Sequence, residues 1–221
     1  MPALHQNMID DIAASTESWR TLRIMAEMVE ALDSLNHLRQ NCISIFGSAR
    51  LQEDSPFYRD AERLAALLVR DGYGIITGGG PGIMEAANKG AAEAGGESVG
   101  LHIHLPHEQS CNQYVRHRCD FKYFFLRKLM FVKYSMAYIV MPGGMGTIDE
   151  LSEAFVLAQT KRIRPFPIVL YGREFWEGFV DWMKKSMVAA GTIREEEINR
   201  LTHICDTPEE VVELLRRIIV L

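Results

Sequence analysis

Apolar positions recur along this chain in two distinct periods. Short, nearly continuous apolar runs at 42–46, 74–77, 99–105, 137–141, 168–171 and 203–205 are expected to be strands buried on both faces. Between them, apolar residues return every three to four positions, as on one side of a helix. In 57–71 this places Ala61, Leu64, Ala65, Leu68 and Val69 on one face. Helices are expected likewise over 83–94, 125–135, 147–160, 174–190 and 208–220. The stretch 106–122 has no clear period and reads as irregular.

Strands that alternate with amphipathic helices predict a parallel sheet covered on both sides, a Rossmann-like, doubly wound α/β fold. The expected central order is third, second, first, fourth, fifth strand. An amphipathic helix over 16–38 precedes the first strand, with Leu22, Met25, Val29 and Leu32 on one stripe and Met28 and Leu35 beside it. The expected organisation is therefore a helical extension at 1–40 and one nucleotide-binding domain at 41–221. Two roles for the extension stay open: an arm at a subunit interface, or packing on its own domain.

With 48% hydrophobic and 24% charged residues, the 221-residue chain can bury a full core. Its formal net charge of −5 argues against general nucleic-acid binding, which needs a basic face. The basic residues Arg116, Arg118, Lys122, Arg127, Lys128 and Lys133 nevertheless cluster around a single acid, Asp120. Such a patch suits a small anion, or is simply a solvated helix face. Four scattered cysteines without a CxxC pair, no secretion signal and no membrane-spanning run lead to the expectation of a cytoplasmic protein with no membrane partner.

Three expected strands end in glycine-bearing turns: Gly47-Ser48, then Gly78-Gly79-Gly80-Pro81-Gly82, then Pro142-Gly143-Gly144-Met145-Gly146-Thr147. In open α/β sheets, ligands sit beyond the carboxyl ends of the strands where strand order reverses. Free N–H groups at the start of the following helices favour a phosphate there, and Thr147 adds a hydroxyl. Neither long loop carries a complete G-x-G-x-x-G, because Glu85 and Asp149 occupy the third glycine position. Neither has the P-loop lysine. A dinucleotide and ATP lose ground, and a mononucleotide remains.

Asp149 and Glu150 are expected in the first turn of the helix after the second long loop, where the helix dipole favours a carboxylate. A carboxylate there can orient water and stabilise positive charge on a ribose ring as its base departs. Arg127 and Lys128 fall near a helix start, where cations are electrostatically disfavoured, which hints at an anionic partner. Glu85 either contacts ligand or caps its own helix. His102, His104 and His107 resemble a metal cluster, but no cysteine or acid completes a zinc set, so no metal is assigned. A G-x-S-x-G nucleophile elbow is absent from the sequence.

The 142–150 segment, PGGMGTIDE, matches the PGGxGTxxE signature of the LONELY GUY (LOG) family. The 78–88 segment, GGGPGIMEAAN, resembles that family's first glycine loop, and 124–128, FFLRK, resembles its Arg-Lys step. The resemblance runs from about 43 to 171 in matching order. It implies a Rossmann-like phosphoribohydrolase of AMP-nucleosidase type, which frees the base and ribose 5-phosphate from a nucleoside 5′-monophosphate. The implied substrates are AMP or N6-modified AMP (cytokinin nucleotides), with no metal or organic cofactor. It also implies a homodimer or a higher oligomer of dimers, with the site near a subunit interface. By position, Arg127 and Glu150 would be the catalytic pair. Phosphate and substrate would be held by Gly143, Gly144, Met145, Gly146 and Thr147 with Lys128, joined by Gly47, Ser48, Gly79, Gly80, Glu85 and, after the third strand, Glu108. Members often carry the label lysine decarboxylase, which would need a Schiff-base lysine in a large cofactor site. The first loop and the N-terminal helix resemble the longer bacterial branch of the family. A non-catalytic carrier of a nucleotide or phosphorylated cofactor is the alternative on the same fold, with a nicotinamide-dependent oxidoreductase further behind.

Overall fold

The sheet begins at Cys42. In β1 (Cys42–Phe46), Ile43 and Ile45 point to one side and Cys42 and Phe46 to the other, and all are buried. Because both faces are covered, the strand reads as a continuous apolar run. The computed structural model describes residues 3–104, 111–160 and 167–219, with side chains from residue 16 onward.

The remaining strands are β2 (Gly74–Thr77), β3 (Ser98–Ile103), β4 (His117–Phe121), β5 (Ser135–Val140), β6 (Ile168–Tyr171) and β7 (Thr202–Cys205). All neighbours pair in parallel, in the order β4-β3-β2-β1-β5-β6-β7. The central part matches the expected order. Strand order reverses between β1 and β5, so the crevice beyond those two strand ends is the switch point where α/β ligands bind.

The helices are α1 (Ala3–Asn36), α2 (Pro56–Arg70), α3 (Ile83–Glu93), α4 (Phe124–Tyr134), α5 (Met145–Gln159), α6 (Arg173–Trp182), α7 (Glu195–Leu201) and α8 (Pro208–Ile218). The α2 face formed by Ala61, Leu64, Ala65 and Leu68 lies in one core with α3, α8 and the Ile43/Ile45 side of the sheet. On the opposite side, α1, α4, α5 and α6 cover Phe46, Tyr138 and Val140. Trp176 of α6 is buried there, and its indole N–H donates to the Val140 carbonyl at 3.1 Å.

Four differences from the sequence reading have physical causes. The supposedly irregular stretch contains β4. Only Cys119 and Phe121 of this edge strand turn inward, so it shows a two-residue alternation rather than an apolar run. The long helix of 174–190 is interrupted, since α6 passes into a π-helical turn at Met183–Val188. The short, charged α7 is a further helix, closed by Glu197, whose carboxylate accepts the Arg194 N–H at 2.9 Å. Finally, α5 begins at Met145, which moves Asp149 and Glu150 out of its first turn.

Candidate active site

The loops after β1, β2 and β5 are stitched together by backbone hydrogen bonds. Ser48 N–H donates to the Pro142 carbonyl at 3.0 Å, Ile83 N–H to Ser48 at 3.0 Å, and Met141 N–H to Phe46 at 2.8 Å. Gly47, Ser48 and the two long glycine loops therefore border one crevice at the switch point. Gly82, with φ of +70°, lets its loop pass beside Ser48 and Ala49, where a Cβ would strike the Ser48 carbonyl oxygen.

The first glycine loop is held from below by a polar network. Gly79 N–H donates to Thr77 Oγ1 at 2.9 Å, and Thr77 Oγ1 donates to Asn88 Oδ1 at 2.6 Å. Asn88 Nδ2 donates to Ser98 Oγ at 2.9 Å. Asn112 closes it from above, with its amide 3.0 Å from both the Gly80 carbonyl and Asn88 Oδ1, and its backbone N–H 2.8 Å from the Gly79 carbonyl. Sequence reasoning missed these residues. Their signal was a polar Asn88 amid Ala86, Ala87, Ala91 and Ala92 on a buried helix face.

Arg127 and Lys128 project from α4 toward α5. The Arg127 guanidinium lies 5.4 Å from the Phe131 ring centroid and packs against Gly78. Lys128 Nζ meets three α5 carboxylates: Asp149 at 2.9 Å, Glu153 at 3.0 Å and Glu150 at 3.6 Å. The mismatch between cations and a helix N-terminus is thus answered within the chain for Lys128. Burial pulls the Lys128 ammonium toward deprotonation, but its hydrogen bonds to Asp149 and Glu153 and the charge of Glu150 hold its pKa above the ordinary lysine value.

Glu150 is buried, and it lies in the second turn of α5 rather than at the dipole-favoured N-terminus. Burial raises its pKa above the usual carboxylate value. Lys128 and Arg127 oppose that rise, while Glu153 and Asp149 add to it. Beside it, Thr147 is buried against Gly143, and the exposed Gly144-Met145-Gly146 turn opens α5 to the crevice. A buried carboxylate with a neighbouring cation, one helical turn from the exposed 144–146 turn, can hold charge at a reacting centre.

Glu85 lines a separate hollow. It is lined also by Tyr58, Pro81, Gly82 and residues 51–54. Glu108 and His107 lie outside the described residues. His102 Nδ1 is 3.2 Å from Asp120 Oδ1, and His104 Nε2 is 3.7 Å from it, but Arg118 forks onto the same carboxylate at 2.6–2.9 Å. Among the described residues no cluster of three or more groups can hold a metal ion.

A family model described as "Possible lysine decarboxylase" matches residues 84–215, more than half of the chain. The chain belongs to this LOG-like family. Lys128, the lysine of this crevice, is held by three α5 carboxylates. An uncharacterized protein of Archaeoglobus fulgidus is 33% identical over 138 residues, spanning 61% of this chain and 87% of that protein. The molybdenum cofactor binding protein of Rippkaea orientalis superposes with a TM-score of 0.61 at 22% identity, over 82% of this chain and 99% of that one. The molybdenum cofactor carrier protein of Chlamydomonas reinhardtii does so with a TM-score of 0.55 at 22% identity, over 81% and 98%. These two structural likenesses are of fold. Among the described residues, no helix is long and apolar enough to cross a membrane.

Proposed function

We propose that this chain hydrolyses the N-glycosidic bond of a nucleoside 5′-monophosphate, AMP or an N6-modified AMP. The observation that carries this reading is Glu150: a buried carboxylate 3.6 Å from the Lys128 ammonium, on the helix that opens from the 143–146 loop. In the mechanism, the phosphate docks on the free N–H groups at the start of α5, with Arg127 as its cationic neighbour. This fixes the ribose beside Glu150. The C1′–N bond breaks with its electron pair leaving on the base, and positive charge grows on the ring. The Glu150 carboxylate stabilises that charge and orients water, whose hydroxyl joins C1′ while its proton passes to the base. The reaction as written invokes no cofactor.

The test is incubation of the purified protein with AMP, N6-isopentenyl-AMP, GMP and CMP, with free base followed by chromatography. Release that disappears in Glu150→Gln supports the reading, and the preferred nucleotide names the substrate. A second reading, a non-catalytic carrier of a phosphorylated ligand, is favoured by the names of the two structural neighbours, one described as binding and one as carrying the molybdenum cofactor. Nucleotide binding by the wild type without base release would select it.

A further inference from the structure

We infer that the hollow beside the first glycine loop binds an alkylammonium cation, best a short diamine, through Glu85, Glu53, Asp54 and the Tyr58 hydroxyl. The inference is independent of the catalytic reading. The hollow encloses about 420 Å³, the size of a small-molecule site. Its three acids come from two elements, Glu53 and Asp54 from the turn before α2 and Glu85 from α3. Nearby acids outside it have bases: Glu62 meets Lys89, and Asp71 meets Arg216. Among the described residues, none of the three carboxylates in the hollow has an ion pair. Arg59, close in sequence, donates to the Asp54 backbone carbonyl at 2.8 Å rather than to its carboxylate. Glu85 stands in the first turn of α3, where the helix dipole favours an acid. That explains one carboxylate of the three.

Tyr58 is the second, independent observation. It is only 3% exposed, and its hydroxyl oxygen is buried without a hydrogen-bond partner. After burial itself, the charges of Glu85 and then Glu53 do most to keep that hydroxyl protonated, so it faces the acids of the hollow from the buried end. A buried phenol oxygen with no partner is costly until a donor reaches it. Three like charges turn anions away. A primary ammonium fits, because it carries three N–H donors and no acceptor. One donor goes to the Tyr58 oxygen and another to Glu85. Glu53 and Asp54, exposed at the mouth, suit a second positive charge, and Leu51 and Pro81 offer apolar surface to the methylenes between. A divalent metal fits less well, since among the described residues no three His, Cys, Asp or Glu groups converge to hold one.

The test is calorimetric titration of the purified, nucleotide-free protein with putrescine at constant ionic strength. Butylammonium chloride and magnesium chloride are the comparison titrants. We expect saturable binding of putrescine, tighter than that of butylammonium. Glu85→Gln should weaken it about tenfold or more, as the loss of a charge-assisted hydrogen bond does. Glu53→Gln/Asp54→Asn should bring putrescine down to the butylammonium affinity. Both of those positions are exposed, so this variant keeps its fold and tests the site even if Glu85→Gln folds poorly. Tyr58→Phe should weaken binding about threefold, while the urea midpoint of the free protein stays the same or rises because an unpartnered hydroxyl is gone. The site is overturned if putrescine gives no saturable heat, if magnesium binds more tightly than putrescine, or if the carboxylate variants bind as the wild type does. Wild-type affinity in Tyr58→Phe overturns it as well, since the phenol would then meet no ligand.

Discussion

The two long glycine loops look alike in sequence but differ in what requires their glycines. In the loop after β2, the chain itself does. A Cβ at Gly78 would stand 2.6 Å from the Arg127 guanidinium, and one at Gly79 2.7 Å from Cys111 Sγ. Gly79 and Gly82 also take φ near +70°. In the loop after β5, Gly143 is crowded by Thr147, but a Cβ at Gly144 or Gly146 would meet nothing within 4 Å. Gly144 has φ of −94°, accessible to any residue. Gly146, in the first turn of α5, even weakens that helix. Glycine is thus demanded in the first loop by packing. In the second, the room it leaves suits something from outside the chain, as a phosphate pressed against the backbone would require.

On this contrast, changes at the β5 loop strike function and changes at the β2 loop strike the fold. The largest effect is expected for Glu150→Gln, with turnover of the nucleotide falling by roughly 100-fold or more. Stability should move the other way. The folded pKa of Glu150 lies above its unfolded value, so its contribution to stability is lost as pH rises through that interval. A neutral glutamine removes this cost, and urea midpoints at neutral pH should rise. Retained turnover would remove Glu150 from the chemistry.

Next in size, Gly82→Ala should cost about 2 kcal/mol in urea unfolding, from a left-handed backbone and a collision with Ser48. An unchanged midpoint would show that the first loop has slack and would break the comparison. Lys128→Met should shift the acid limb of the pH–rate profile upward, because removing the cation that opposes burial raises the Glu150 pKa further. Glu153→Gln should shift the limb downward and by less, since a competing negative charge is lost. Shifts of the same sign in both variants would contradict the electrostatics. The smallest effect is expected for Gly146→Ala: stability higher by about 0.5 kcal/mol, with a raised KM. A normal KM would mean that no ligand presses on this turn.

The central strands and both glycine loops were legible because each is encoded locally, in an apolar run followed by glycine. Arg127 and Glu150 are paired by the resemblance, and their catalytic role is the proposal above; the structure places Glu150 3.6 Å from the Lys128 ammonium. What escaped was made by partners distant in sequence. The sequence hinted at an anionic partner for Lys128; it did not show the α5 acids at positions 149, 150 and 153 that meet its ammonium, aligned by a helix that starts at Met145. Asn112 is a polar residue in a stretch without period until the fold brings it to Gly79 and Asn88. The apolar stripe of α1 was visible in sequence. That the domain would use a different side of the helix was not, because Ala31 and Glu27 are poor advertisements for a buried face.

Ser48 is bonded on both sides, with its N–H to Pro142 and its carbonyl to Ile83. These two bonds join the left and right wings of the doubly wound sheet at their seam. A molecule that steadies the β5 turn should therefore also damp opening of the β2 turn, because Ser48 is bonded to both. The two amides should slow together in hydrogen exchange when the crevice fills, so that Ser48 acts as a rivet through which occupancy on one wing is registered on the other.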